Sequence, residues 1–360
     1  MAGGFAGAYL LRQGFSLAQA LCAFAALLAV RFVLRCLSLF VVRRIGVRGA
    51  MAVGAMILAT QFWPLAHAGD ARWLGAWLFI VALGESFYWP CYHAAVAVIG
   101  AEGARGRELG LRNAVSAAVG VTAPLLGGFL LQRFGPAVDF TLAAAITLAA
   151  LPPLLMMRPI DAGEIPGLRE ALRAVDRRSL IAFASDGFMS GGLALAWPMA
   201  LFVTLGSQYE SLGVANAMAG LVGAGVGLLA GRLIDDGRRD RALVWSSWAL
   251  VASFAFRAGS GWAPMAAEIA NATGAAVIGV YTTVLMSLIY DRAKGSGAAY
   301  RFHFAMEGGW DAGAALGCLA GAAVALTTDV PALAVLPSVL GVWTMYLCVR
   351  GRRASSAADA

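Results

Sequence analysis

The chain has 360 residues, of which 60% are hydrophobic and 13% charged, and its net charge is +7 at pH 7. Its mean hydropathy of +0.76 excludes an ordinary soluble domain. Repeated apolar runs of about 20 residues are typical of a helical protein that crosses a membrane many times. A basic chain could bind nucleic acid, but these basic residues lie in short loops between apolar runs, so membrane topology explains them better.

The apolar runs predict an all-α polytopic membrane protein with about eleven transmembrane helices. After a short mixed segment at residues 1–16, spans are expected at 17–42, 49–67, 73–100, 113–134 and 137–157. Six further spans are expected at 179–205, 212–234, 242–260, 263–290, 302–327 and 331–349. The chain therefore divides into an N-terminal transmembrane half (1–158), a linker (159–178), a C-terminal six-helix half (179–349) and a tail (350–360). Within the linker, residues 168–178 are predicted to form a short surface helix.

The basic residues are distributed unequally between the two sides of the membrane. With the spans threaded alternately, one side receives the basic loops at 43–48, 105–112, 232–241 and 292–301, the linker and the tail. The other side receives Arg12, Arg72, Arg133 and Arg257. Because Lys and Arg concentrate in cytoplasmic loops, the linker and the C-terminus are expected in the cytoplasm. The arginine-rich, alanine-rich composition indicates a bacterial genome, and hence the inner membrane.

The two halves repeat at a constant offset. Ser16-Leu17 aligns with Ser211-Leu212, Arg43-Arg44 with Arg238-Arg239, and Pro136 with Pro331, each 195 residues apart. The same offset superposes basic loops and helix starts, which predicts two halves of the same orientation. At this offset the partner of the span 179–205 would begin before Met1, so one helix is expected to be largely missing. Either the true start lies upstream, which we favour, or this is an eleven-helix variant with its N-terminus outside.

One loop of the second half has a characteristic spacing, Gly-x-x-x-Asp-x-x-Arg-Arg. It is formed by Gly231, Asp235, Arg238 and Arg239. In the first half the segment from Arg43 and Arg44 to Arg48 keeps the basic end, but Leu39 and Arg43 stand where glycine and aspartate would be expected. Residues 124–128, Pro-Leu-Leu-Gly-Gly, form a second motif.

The first spacing resembles the loop between neighbouring helices in the major facilitator superfamily of secondary transporters, and residues 124–128 resemble the proline-glycine motif of its antiporter members. The resemblance covers nearly the whole chain in topology. It implies a two-half bundle of six plus six helices, here without the first. It also implies transport of a small organic solute by alternating access, with proton coupling as one option.

Charged residues within a span usually face the bundle interior, because exposing them to lipid costs a few kcal/mol each. Arg31 and Arg35 lie four apart on one helix, and Glu307 and Asp311 lie four apart on another, so each pair shares a face. In the family that the chain resembles, these two helices face each other. At about 1.5 Å per residue from the cytoplasmic helix ends, Arg35 and Glu307 lie at one depth, and Arg31 and Asp311 lie at a greater one. These matching depths predict the ion pairs Arg35–Glu307 and Arg31–Asp311, which would close the cytoplasmic side. Static pairs that only stabilise the bundle, or arginines that bind an anionic substrate, are the alternatives.

A second set of candidates could line a solute cavity or a proton pathway. Glu85, Tyr88, Trp89 and Tyr92 follow helical spacing, with His93 alongside. Such a face suits an organic or cationic ligand, and aromatic core filling with a paired Glu85 is the alternative. The candidates for the opposite wall are Asp186, Ser190, Trp197, Glu268 and Asn271. Glu85 or Glu268 could carry a proton, whereas His303 is expected at the membrane interface.

Two stripes of small residues are expected to pack helices closely. They are Gly309, Gly313, Gly317 and Gly321 on one helix, and Gly223, Gly227 and Gly231 on another.

Other classes of function find less support. No His, Asp and Cys residues cluster with metal-ligand or catalytic spacing, and no nucleotide motif is present, so neither an enzyme, a metal site nor a cofactor is expected. The expected partners are a small molecule, with H⁺ as an option, and the lipid bilayer, without nucleic acid, and the protein is expected to be a monomer. A transporter-like protein that acts as a receptor or assembly subunit is the main alternative, and a membrane-integral enzyme is the weaker one.

Overall fold

The computed structural model describes residues 2–98, 105–173, 177–235 and 239–356, and all regular elements among them are helical. The first part of the chain contains a 3-10 turn (Ala2–Phe5), α1 (Ala6–Arg12), α2 (Leu17–Thr60), α3 (Phe62–Ala66), α4 (Ala71–Val98), α5 (Arg105–Ala149) and α6 (Leu151–Met156). The linker contains α7 (Leu168–Arg173). The second part contains α8 (Arg177–Ser190), a π-helical segment (Gly191–Ala196), α9 (Trp197–Thr204), α10 (Tyr209–Asp235), α11 (Arg239–Gly259), α12 (Pro264–Gly295), α13 (Ala299–Ala325), a 3-10 turn (Pro331–Val335) and α14 (Ser338–Ser356).

Two of the long helices are each broken at one glycine. Gly46 in α2 has φ 72° and Gly135 in α5 has φ 77°. Glycine adopts this region readily because it has no Cβ. The predicted loop at 43–48 is therefore reduced to a break at one residue. The prediction of a loop at 105–112 is wrong, because the backbone is already helical from Arg105, and a helix satisfies its own backbone hydrogen bonds.

The helices have the length and composition of membrane spans. Six segments are long and apolar enough to cross a bilayer: Leu17–Ala66, Ala71–Val98, Ala114–Met156, Arg177–Thr204, Pro264–Gly295 and Pro331–Cys348. The first and third have 50 and 43 residues, enough for two crossings each at about 20 residues a crossing. With the arms of α2 and α5 counted separately, and with α10, α11 and α13, the described residues form about eleven rods of spanning length. This agrees with the prediction of a polytopic all-α bundle.

The helix bounds repeat at the predicted offset. Moved by 195 residues, α4 coincides with α12 and α1 with α9 to within a few residues. The first arm of α2 falls on α10, and the first arm of α5 falls on α13. The repeat thus pairs α2 with α10 and α5 with α13. If the two halves are related by this repeat, the contact between α2 and α13 must have a counterpart between α10 and α5. Both contacts are present. These two contacts are the most extensive of those that join the first part of the chain to the second.

Glycines allow the closest helix contacts. A Cβ at Gly313 of α13 would lie 1.9 Å from the carbonyl oxygen of Ala184 in α8, and one at Gly317 would lie 2.3 Å from that of Phe188. No side chain fits at such distances, so Gly309, Gly313 and Gly317 of the predicted stripe form the packing surface of α13 on α8. Gly321 instead faces Ala334 of the 3-10 turn. On the second stripe, a Cβ at Gly223 would lie 3.1 Å from a carbonyl oxygen of α12.

The linker lies across one end of the bundle, which we call the basic end because it carries Arg43 and Arg48. Arg43 Nε donates a hydrogen bond to the carbonyl oxygen of Ile165 at 3.4 Å. From the second part of the chain, the backbone N–H of Tyr300 donates to the carbonyl oxygen of Ala162 at 3.2 Å. The linker is therefore attached to both parts. Its helix α7 agrees with the predicted surface helix up to residue 173, and residues 174–176 lie outside the described part of the chain.

Candidate functional site

The candidate site is built around two buried arginines of α2 and one buried carboxylate of α13. Arg31 Nε donates to Asp311 Oδ1 at 2.7 Å, and Arg35 Nε donates to Asp311 Oδ2 at 3.1 Å. Both guanidinium groups also contact Asp311 through Nη2. The side chain of Asp311 is fully buried, and those of Arg31 and Arg35 are 5% and 3% exposed. One carboxylate thus holds two guanidinium groups from the helix across the contact between the two parts.

Two further carboxylates complete this set. Arg31 Nη1 forms an ion pair with Glu85 of α4, and Arg35 Nη1 lies 3.8 Å from Glu307 Oε2. We call Arg31, Arg35, Glu85, Glu307 and Asp311 the charged cluster. The structure places Arg31 against Asp311, as the spacing predicts, but the carboxylate closest to Arg35 is that of Asp311 rather than that of Glu307. It also brings Glu85 into the cluster, although the sequence assigned this residue to the aromatic face of α4.

A tryptophan extends the charged cluster to α8. The guanidinium carbon of Arg31 lies 5.1 Å from the ring centroid of Trp310, a distance at which a cation is attracted to the ring face. The indole Nε1 of the same Trp310 donates to Asp186 Oδ2 at 3.1 Å. Asp186, a candidate for the opposite cavity wall, is therefore linked to Arg31 through one side chain.

The aromatic residues of α4 form one partly accessible face beside the cluster. Tyr88, Trp89, Tyr92 and His93 are all half-buried, as is Glu85. Tyr88 and Tyr92 stack with ring centroids 5.8 Å apart, and Trp89 and His93 stack at 5.7 Å. Flat rings next to a carboxylate can hold an apolar or cationic organic molecule.

Two histidines join this face to α12 and α13. His93 Nδ1 lies 2.9 Å from the hydroxyl of Tyr290, and Nε2 lies 3.6 Å from Glu307 Oε1. His303 stacks on His93 with ring centroids 5.5 Å apart. His303 is 1% exposed, and no described residue forms a hydrogen bond with either ring nitrogen. It lies in the first turns of α13, buried beneath the rings of α4 and α12, and its predicted position at the membrane interface stays a prediction.

The remaining wall candidates do not converge on the charged cluster. Trp197 Nε1 donates to Asn271 Oδ1 at 2.8 Å, and both side chains are buried. Trp197 lies 11 residues after Asp186 on the α8–α9 rod, which corresponds to about 16 Å. Ser190 is half-buried at the end of α8, where the π-helical segment begins, and Glu268 is exposed in the first turns of α12. The residues predicted to form the second wall therefore do not form one surface. Asp186 lies beside the charged cluster, whereas Trp197 and Asn271 lie at a different depth in the bundle.

The loop that resembles the family motif is only partly described. Gly231 and Asp235 lie in the last turns of α10, and Arg239 is the first residue of α11. Arg238 lies outside the described residues. In the first half, Arg43 contacts the linker and Arg44 is exposed.

The sequence did not predict the contacts that His303, Trp310 and Arg257 make. For the first two, the helical spacing could have indicated them. His303 and Trp310 share a face with Glu307 and Asp311, because they lie four before and three after Glu307. For Arg257 no such signal exists. Arg257, predicted on the side opposite the basic loops, lies in the last turn of α11 and is 1% exposed.

Comparison with known proteins gives one consistent result. A model of the Major Facilitator Superfamily matches residues 1–308. The human organic anion transporter MFSD10 (TETRAN) has a similar structure, with a TM-score of 0.67 and 17% identity over 94% of this chain and 87% of that chain. FucP, the E. coli fucose:proton symporter, solved in the outward conformation, gives a TM-score of 0.64 and 14% identity over 93% and 89%.

A D-xylose–proton symporter gives a TM-score of 0.64 and 12% identity over 96% of this chain and 91% of that chain. At these identities the likeness shows the fold. Among curated protein sequences, none matches the chain significantly.

Proposed function

Because the chain belongs to the major facilitator superfamily, we propose that it is a secondary active transporter that moves a small organic solute by alternating access and couples this movement to protons. The family and its solved relatives are membrane transporters, so an enzyme is not the expected class. The observation that carries the proposal is the charged cluster, which is buried where α2 and α4 meet α13.

In this proposal the cluster acts as a gate. Arg31 and Arg35 belong to the first part of the chain and Asp311 to the second, so opening the basic end must separate two guanidinium groups from one carboxylate. Charges that separate in a dry interior are very costly, whereas separation into a water-filled cavity is far less so. A gate of this composition is therefore stable when closed and dry, and opens only with entry of water.

Charge counting within the cluster supports proton coupling. Two arginines face three carboxylates, so the cluster holds one excess negative charge when all five groups are ionised. A proton bound to one of the three carboxylates makes the cluster as a whole neutral. Glu85 is the best carrier, because its side chain is 25% exposed, whereas that of Asp311 is fully buried. A proton on Glu85 removes its attraction to Arg31 and so links protonation to the strength of the gate.

The aromatic face of α4 is the proposed solute wall. It lies on the same helix as Glu85, with Tyr88 three residues and Tyr92 seven residues further on. Solute bound there lies beside the proposed proton carrier, which is the arrangement that coupling requires. The similar structures are those of an organic anion transporter, a D-xylose–proton symporter and a fucose:proton symporter, and these support the class of small organic solutes.

The proposal is tested by proton movement driven by solute. Purified protein is reconstituted into liposomes that contain a pH-sensitive dye, and sugars, organic acids and aromatic cations are added in turn. We expect at least one class to change the internal pH in wild-type vesicles and not in Glu85→Gln vesicles, because glutamine cannot exchange a proton. Glu268→Gln is the matched control and should retain the signal. Solute flux without proton movement would contradict the coupling, and absence of flux for every class would favour a receptor.

We also propose the inner membrane of a bacterium as the location, with the linker and C-terminus in the cytoplasm and the monomer as the active unit. The concentration of basic residues at one end supports this orientation.

A further inference from the structure

A second buried cation lies far from the charged cluster. Arg257, in the last turn of α11, is among the largest fully buried side chains, and its guanidinium carbon lies 5.2 Å from the ring centroid of Trp197. No carboxylate of the described residues forms an ion pair with it. Its Nε and Nη1 have no hydrogen-bond acceptor in that part of the chain. A buried guanidinium without a counter-charge is costly and requires an explanation.

The surroundings of Arg257 are built to hold its head group. A Cβ at Gly274 of α12 would lie 2.2 Å from Arg257 Nη2 and 2.6 Å from Cζ, so only glycine at this position leaves room for the guanidinium group. The hydroxyl of Ser253 would lie 2.8 Å from the same Cβ. Ser253 Oγ, also buried, has no hydrogen-bond partner among the described residues. The head group of Arg257 and the hydroxyl of Ser253 therefore lie against the same position of α12, and each side chain keeps hydrogen-bonding atoms without a partner among the described residues.

We propose that Arg257, Ser253 and Gly274 form a binding site for a small monovalent anion, which is either a halide or a carboxylate group. An anion is the one ligand that provides both the missing charge and the missing acceptors. Arg257 and Ser253 are 1% and 8% exposed, and such burial does not suit a large polyanion. Trp197 covers the guanidinium, so it fixes the cation in place without using the hydrogen-bonding capacity of the group.

A chain of polar side chains connects this site to a more accessible position. Trp197 donates to Asn271 Oδ1 at 2.8 Å, and Asn271 Nδ2 donates to Asn216 Oδ1 at 3.3 Å. Asn216, on α10, is half-buried.

The test is the dependence of thermal stability on the anion. The melting temperature of the purified protein is measured at fixed ionic strength in chloride, in formate and in methanesulfonate, the largest of the three anions. We expect chloride or formate to raise the melting temperature of the wild type above its value in methanesulfonate. Arg257→Gln should weaken the apparent affinity for that anion about tenfold or more. An effect of chloride alone identifies a halide site, and an effect of formate identifies a carboxylate site.

Two serines of α11 provide a matched pair of variants that keep the arginine. Ser253→Ala removes an unpaired donor and should weaken anion binding. Ser247→Ala should not, because the Ser247 hydroxyl already donates to the carbonyl oxygen of Leu243 at 2.7 Å. Equal melting temperatures of the wild type in all three anions would overturn the proposal, as would an anion effect that persists in Arg257→Gln. If Arg257→Gln does not fold, the serine pair decides: equal anion effects in both variants refute the site.

Discussion

At the scale of single residues, Asp311 has the central position in the proposed gate. Its two carboxylate oxygens are shared by Arg31 and Arg35, and it is completely buried. Glu307 is more distant, at 3.8 Å from Arg35, and its side chain is 10% exposed. The two acidic residues of α13 therefore differ in how much each stabilises the arginines.

We predict that Asp311→Asn is much more harmful than Glu307→Gln. Loss of Asp311 leaves two buried guanidinium groups without their main counter-charge, and removal of one partner from a buried pair costs about 3–5 kcal/mol. Glu307→Gln should cost less than Asp311→Asn, because Glu307 lies 3.8 Å from Arg35 and leaves Asp311 in place against both arginines. Unfolding in mixed detergent micelles measures both values. Equal losses would mean that Asp311 does not hold the arginines together.

The sequence predicts the charged residues of α2 and α13 better than their partners. The four-residue spacing of Arg31 and Arg35 is enough to place both on one face, and resemblance to the family identifies the opposite helix. The attachment of Glu85 to Arg31 was not predictable, because it depends on the position of α4 beside α2. The burial of Arg257 depends in the same way on the space left at Gly274 in another helix.

At the scale of elements, α13 has two faces with different tasks. One face carries Glu307 and Asp311 and contacts α2, whereas the other carries the glycines that contact α8. A helix that packs so closely on α8 moves with it, so the charged face is held by a rigid support. Hydrophobic length predicts this helix well. It does not predict the breaks in α2 and α5, because a single glycine with positive φ has no distinct hydropathy.

Two glycines of α13 allow this division to be tested. A Cβ at Gly313 would lie 1.9 Å from the carbonyl oxygen of Ala184, whereas one at Gly308 would meet only Phe32 at 3.5 Å. We expect Gly313→Ala to lower the free energy of unfolding by about 1–3 kcal/mol, because α8 must move away. Gly308→Ala should be neutral or stabilising by up to about 1 kcal/mol, since alanine favours the helix. Thermal unfolding compares the two, and a stable Gly313→Ala would refute the close contact.

At the scale of the whole molecule, the two contacts between the parts of the chain are related by the repeat but differ in chemistry. The contact between α2 and α13 contains the charged cluster. Its counterpart between α5 and α10 is made by small residues: a Cβ at Gly213 would lie 2.5 Å from the carbonyl oxygen of Pro124, and one at Gly220 would lie 2.6 Å from that of Gly120. Among the residues that the structure describes, the buried ion pairs between the two parts lie in the first contact.

The proposed orientation predicts opposite accessibility for the two ends. Ser296 lies in the exposed turn before α13 at the basic end, and Gln208 is exposed in the turn before α10. In a variant without native cysteines, Ser296→Cys should react with an impermeant maleimide only in inside-out vesicles, and Gln208→Cys only in right-side-out vesicles. The reverse pattern would place the basic end outside the cell.

The contact between Arg12 and Ser207 has a geometric meaning of its own. Arg12 Nη1 donates to the carbonyl oxygen of Ser207 at 3.3 Å, and these two residues are 195 positions apart. They are therefore images of each other under the repeat. If the repeat relates the two halves by an approximate twofold rotation, two equivalent residues can touch only next to the rotation axis. This hydrogen bond therefore marks where that axis leaves the bundle, at the end opposite the basic end. A substitution of Arg12 would loosen both halves at their shared centre, rather than either half alone.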